Sequence, residues 1–215
     1  MTADLIVLGL TWFVVFLFST TLHEASHAFA AYKLGDPTAY EGGQVSLNPL
    51  PHIQREPFGM ILVPLITFAI SHGGSMMGWA SAPYNPEWAR HYPRRAAIMA
   101  AAGPLSNLFL ATVAGLLLRT GLAERLDGVA MPVWILFSLN LVLFVFNLLP
   151  MPPLDGSAIL PALMSERMAQ RYRDIIHQPM FSLLGLLVAW KIFPFLFAPI
   201  QAVAIRLIFP GANPP

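Results

Sequence analysis

The chain has 215 residues, a formal net charge of +1, 56% hydrophobic and 11% charged residues, and no cysteine. Soluble domains carry about 25% charged residues, so a chain this short cannot hide so much apolar surface from water, and the bilayer must be its solvent. Near-neutral charge excludes a polybasic nucleic-acid surface. The lack of thiols excludes disulfides and thiolate metal sites, leaving His, Asp and Glu to hold any metal.

The length fits one membrane domain over residues 1–215, since no linker, charge block or internal repeat divides it. Met1–Asp4 lacks the basic start of a signal peptide, so the first apolar run is read as retained. A first helix is predicted from about Asp4 to Leu34, ahead of the stop signal Gly35-Asp36-Pro37. At 1.5 Å per residue it extends about 45 Å, more than the roughly 30 Å hydrocarbon core requires. Between Ala39 and Pro57, Gly42, Gly43, Pro49, Pro51 and Pro57 break helix, while Gln44-Val45-Ser46-Leu47 alternates like a strand. A short β-strand or hairpin is therefore expected near residues 40–57.

Phe58–Ser71 is apolar but short and contains Pro64; a polar Gly/Pro-containing stretch follows from His72 to Pro93. A spanning helix is predicted over Arg94–Arg119, with Gly103-Pro104 as a kink or tight contact. Another covers Pro132–Leu149. Pro150-Met151-Pro152-Pro153-Leu154-Asp155-Gly156 cannot be helical. Ser157–His177 reads as a short helix and then a polar surface helix. An apolar C-terminal segment follows over about residues 178–209, interrupted at Pro194 and Pro199, with Lys191 and Arg206 at snorkelling positions. The fold class is an all-α polytopic membrane bundle carrying the short β segment.

His23-Glu24-Ala25-Ser26-His27 lies late in the first helix. Histidines four apart share a helix face, so both imidazoles reach one ion, and Glu24 beside them can take a proton from metal-bound water. Zinc lowers the pKa of such water to about 7. Three ionisable groups inside a membrane helix are costly, which argues for function over two interfacial histidines beside a solvated glutamate. A catalytic zinc needs a third protein ligand, and the candidates are Asp36, Glu41, His52, His72 and Asp155. Asp36 and Glu41 follow the helix too closely to fold back. Asp155 is braced by Pro150, Pro152 and Pro153, with Gly156 permitting a sharp turn; the rigid placement suits a ligand, although a polar cap on the next helix uses the same residue.

HEASH, Ala102-Gly103-Pro104-Leu105-Ser106-Asn107 and Asn147-Leu148-Leu149-Pro150-Met151-Pro152-Pro153-Leu154-Asp155-Gly156 resemble, in order, the three signatures of site-2 proteases, the intramembrane zinc metalloproteases. Residues 42–52 resemble a segment common in small prokaryotic members, and no PDZ-like or nucleotide-sensing insertion is evident. The resemblance covers roughly residues 4–165, the expected catalytic core. It implies that His23, His27 and Asp155 hold one zinc ion per chain and that Glu24 is the general base. Asn147 matches a polar position associated with the substrate or oxyanion, a helix–helix hydrogen bond being the alternative. Asn140, two turns earlier, is read as structural, and Gly103 and Asn107 as packing residues.

If the three ligands share an ion, the C-terminal ends of the first helix and of Pro132–Leu149 meet on one side of the membrane. An odd number of crossings must separate them, and Arg94–Arg119 supplies one. Phe58–Ser71 should therefore dip in and return, or lie in the interface. That assignment puts Lys33, Arg55, Arg90, Arg94, Arg95, Arg167, Arg171 and Arg173 at the metal end, against Arg119 and Arg125 opposite, so the active site is expected on the cytoplasmic side of the plasma membrane.

The expected activity is hydrolysis of peptide bonds in membrane-spanning protein or peptide substrates, with the lipid bilayer as surroundings and Gln44–Leu47 as a strand edge for the unwound substrate. The alternatives are a metal-binding scaffold, which intact Glu24 argues against, and an ion transporter, which the lack of repeated halves argues against. Another amide or lipid hydrolase remains open. His52, His72, His91 and His177 have no assigned role.

Overall fold

A computed structural model describes residues 3–176 and 179–210 as a helical bundle, and no strand occurs among the described residues. Helix α1 covers Ala3–Lys33, α2 Thr38–Glu41, α3 Pro49–Arg55, and α4 Val63–Ile70, the last preceded by a π-helical turn over Phe58–Leu62. Then come α5 (Pro86–His91), α6 (Pro93–Arg119), α7 (Ala130–Asn147), α8 (Asp155–Ile159), α9 (Glu166–Ile176) and α10 (Pro179–Ile208). Four of these, α1, α6, α7 and α10, are long and apolar enough to cross a membrane, as expected of an integral membrane protein. His177 lies outside the described residues.

The centre of the bundle is α6, packed between α1 and α7. Ala111 and Ala114 on α6 are fully buried against Val133, Phe137 and Leu141 of α7. Lipid tails offer little hydrophobic drive between helices, so close approach of small side chains does the packing instead. Helix α10 runs unbroken through Pro194 and Pro199 and closes over the far end, where Ile208 joins the same core. The expected interruption is absent: each proline removes one donor, and the remaining ladder carries the helix across.

The segment after α1 corrects the expected β structure. Gln44 N–H donates to Ala39 O, Ser46 O accepts from His52 Nε2 at 3.0 Å, and Asn48 caps α3 by accepting from Leu50 N–H. Gln44–Leu47 is bent chain with no neighbouring strand to form a ladder. Pro49 and Pro51, read as helix breakers, instead sit in the first turn of α3, where a missing N–H costs nothing.

Phe58–Ile70 turns 113° away from α3. It descends beside α1 to a tip where a Cβ on Gly73 would meet Leu5 and Leu8. The chain then runs back along the same helix. Met77 N–H donates to Thr67 Oγ1 at 2.9 Å and Trp79 N–H to Gly59 O at 3.1 Å. Gly59 and Gly78 permit this: a Cβ on Gly78 would strike Gly59 O, and one on Gly59 would strike Trp79 O. The segment thus dips and returns. At its base, buried Asp36 accepts from Asn85 N–H at 2.7 Å and from Thr38, tying the returning strap to the end of α1.

Candidate metal centre

Late α1 presents His23, Glu24 and His27, all buried, toward α6. The third element is the turn after α7. There Gly156 packs so tightly on the last carbonyls of the preceding segment that a Cβ would strike Leu148 O and Leu149 O. Tyr172 donates to Pro150 O at 3.2 Å, while Leu149 and Leu154 pack on Ala189 of α10. Braced from three sides, the turn carries Asp155 to the histidines. Its Oδ2 lies 3.2 Å from His23 Nε2 and its Oδ1 3.3 Å from His27 Nε2, and the two Nε2 atoms are 3.0 Å apart.

The hydrogen bonds behind the rings define what these atoms are. His27 Nδ1 lies 2.8 Å from Met99 O, which only accepts, so Nδ1 carries the proton and Nε2 a lone pair. His23 Nδ1 donates to Asn107 Oδ1 at 2.5 Å, with the same consequence. Three electron-pair donors, all within 4.8 Å of one another, therefore face a common point. Asp155 Oδ2 is buried and has no hydrogen-bond partner, although it touches His23, because the facing nitrogen has no proton to give.

Such crowding requires a positive charge. A second proton on an imidazole is one source: burial opposes ionising Asp155, yet a ring so charged would hold its carboxyl well below the usual carboxylate range. A divalent metal ion is the other, and the donor set of two imidazoles and one carboxylate suits it. Gly103 on α6 leaves room for one. A Cβ there would lie 2.6 Å from His23 Nε2 and nearer still to His27 Nε2.

A cavity of about 210 Å³ opens beside these groups, lined by Glu24, Asn147, Pro153, Met99 and the strap Ala80–Tyr84. Asn147 donates to Leu143 O at 3.0 Å within its own helix, leaving its second N–H and its Oδ1 without a protein partner among the described residues. Its hydrogen bond is therefore intrahelical rather than helix–helix. The other ligand candidates lie apart. Asp36 clamps the strap, Glu41 is exposed on α2, His52 is buried under Ser46, and His72 forms the hairpin tip.

Four features were not read from the sequence: the acceptor role of Asn107, its support by Asn140, the space left by Gly103, and the cavity wall at Ala80–Tyr84. Buried amides in apolar helices were the available signal for the first two, since each costs about 1–3 kcal/mol if left unpaired. Nothing in residues 80–84 marks them as a wall.

The family model for peptidase family M50 matches residues 121–187. The "Putative zinc metalloprotease YwhC" of Bacillus subtilis is 40% identical over 158 residues, covering 68% of this chain and 66% of that protein. The "Putative zinc metalloprotease Rip2" of Mycobacterium tuberculosis is 36% identical over 148 residues, 67% of this chain and 53% of its own length. Rip2 of Mycolicibacterium smegmatis is 32% identical over 145 residues, covering 65% and 52%. The chain thus spans just under two thirds of the first relative and about half of the others. No solved structure matches it.

Proposed function

The chain belongs to peptidase family M50, and from that premise we propose that it is a zinc-dependent endopeptidase acting on membrane-spanning protein segments. The observation that carries this reading is the convergence of His23, His27 and Asp155 on one point, with Glu24 in the same cavity, among helices suited to cross a membrane. His23, His27 and Asp155 would hold the zinc, which would supply water acidified to a pKa of about 7 and polarisation of a carbonyl. Glu24 accepts the proton of the attacking water and later delivers it to the leaving amine. The free N–H of Asn147 donates to the carbonyl oxygen as negative charge develops on it.

A membrane helix keeps its carbonyls in its own hydrogen bonds, so the substrate unwinds before it reacts. Ala80–Tyr84 supports an extended substrate. The strap is neither helix nor strand, its side chains at Ala80, Ser81 and Ala82 are small, and among the described residues its backbone groups have no partners. An unwound segment adds to it as a strand along the cavity. The proposed orientation puts the metal end at the cytoplasmic face of the plasma membrane, supported by eight basic residues there against Arg119, Arg125 and Arg206 opposite.

The test is purified protein reconstituted with single-span peptides, with bound metal measured alongside cleavage. Wild type is expected to hold one zinc per chain and to cut; Glu24→Gln is expected to keep the zinc and lose cleavage. Wild type without zinc, or Glu24→Gln cutting at the wild-type rate, overturns the reading.

A further inference from the structure

Resting on the zinc reading above, we infer that Asn140 and Asn107 form a directional hydrogen-bond relay that sets the tautomer of His23, both acting as positioning residues for the metal. A neutral imidazole carries its proton on either nitrogen. His23 ligates through Nε2 only if the proton sits on Nδ1. An asparagine beside Nδ1 does not decide this alone, because its amide can present either oxygen or NH2. If Asn107 presented NH2, Nδ1 would become the acceptor, and the proton would move to Nε2 and obstruct the metal.

The deciding group lies two residues further on. Asn140 Nδ2 is 2.8 Å from Leu136 O, a main-chain carbonyl that only accepts and is fixed within α7. This directs the Asn140 NH2 toward its own helix and its Oδ1 toward Asn107. Oδ1 also only accepts, so Asn107 must offer it Nδ2, and does so at 2.8 Å. The remaining Asn107 oxygen then faces His23 Nδ1. Each bond dictates the next. Ser19 Oγ, 2.8 Å from Asn140 Nδ2, can donate or accept and follows the direction set by the others.

The relay joins α1, α6 and α7, and Ser19, Asn107 and Asn140 are each 0% exposed, so solvent offers no competing partner. His27 reaches the same end without intermediates, because Met99 O is itself a main-chain acceptor. Both metal-facing nitrogens are thus set by groups that cannot turn round, one directly and one through two amides.

The experiment measures zinc affinity of the full-length chain in detergent by competition with a chelating dye, and the visible absorption of the Co2+-loaded protein. Asn107→Leu removes the acceptor and is expected to weaken zinc binding about 10- to 100-fold. Asn107→Asp keeps an acceptor on His23 Nδ1 whichever way it turns, its outer oxygen carrying a proton that it donates to Asn140 Oδ1, and is expected to rescue that loss. Asn140→Leu frees the Asn107 amide to turn, so it weakens zinc binding in the wild-type background. In the Asn107→Asp background it has nothing to reorient and costs nothing further. This coupling, with restored Co2+ absorption, separates the relay from simple packing. Equal losses from Asn140→Leu in both backgrounds overturn it, as does unchanged affinity in a folded Asn107→Leu. If Asn107→Leu does not fold, the Asn140→Leu pair decides alone. Wild type that binds no zinc overturns the zinc reading itself, a different failure.

Discussion

Two segments that are neither helix nor strand flank late α1, and they differ in what they face. Val45–Leu47 lines an apolar groove of about 400 Å³ with Leu22, Ala25, Ser26, Phe29, Ala30 and Ala102. Ala80–Tyr84 lines the metal cavity with His23, Glu24 and His27. The two hollows share no lining residue. Both segments carry unpaired backbone at Val45 and Leu47 or along Ala80–Tyr84 among the described residues, so both offer an edge to an added strand. Only one offers it beside the chemistry. At 100° per residue, the His23 and His27 face of α1 turns away from Leu22, Ala25 and Phe29. Position around a single helix, rather than local conformation, separates the segment beside the metal ligands from the one beside the apolar groove.

Removing the metal erases the difference between the two hollows and has the largest expected effect. Gly103→Ala puts a methyl group where both Nε2 atoms point, so bound zinc should fall to background while helical content by circular dichroism is unchanged. Zinc at the wild-type level would mean that the ion sits elsewhere. Next comes Glu24→Gln, which leaves the ligands in place; cleavage should fall about 100- to 10,000-fold with full zinc content.

The reach of the sequence follows the same division. Histidine spacing on a helix is periodic, so His23 and His27 were expected on one face beside Glu24; the proline-braced turn made Asp155 a candidate, the family resemblance singled it out, and the structure brings the three groups together. Hydropathy marked α1, α6, α7 and the C-terminal segment, and the parity of crossings anticipated that Phe58–Ser71 returns. Relations between distant elements left no local trace. Period-two alternation at Gln44–Leu47 suggested a strand, but a strand needs a partner, and no strand lies alongside it among the described residues. Ala80–Tyr84 shows no alternation, and its course is set from outside: Trp79 is held by Gly59, and Asn85 by Asp36. Asn107 and Asn140 looked like packing because an amide's partner across three helices cannot be read from spacing.

Proline scanning sharpens the comparison directly. Pro83 already restricts Ala82 to extended conformations, so Ala82→Pro should fit the strap while removing one N–H beside the cavity. A lost substrate hydrogen bond of about 1.4 kcal/mol corresponds to a roughly tenfold drop in kcat/KM. Zinc content should not change. A rate equal to wild type would remove the strap from substrate binding.

The smallest effect is expected from Val45→Pro. Val45 N–H has no partner among the described residues, so proline there breaks no bond of the fold. Buried His52 still accounts for Ser46 O, and Gln44 N–H still reaches Ala39 O, which keeps the segment seated. The metal lies beyond α1. Cleavage should therefore stay within about twofold of wild type, since surface changes that touch no such feature shift free energies by roughly 0.5 kcal/mol or less. Measured beside Ala82→Pro with the same peptide, this variant fixes which edge the substrate joins. A Val45→Pro enzyme that keeps its zinc but no longer cuts would reverse the assignment and make the apolar groove the path by which an unwound helix reaches the site.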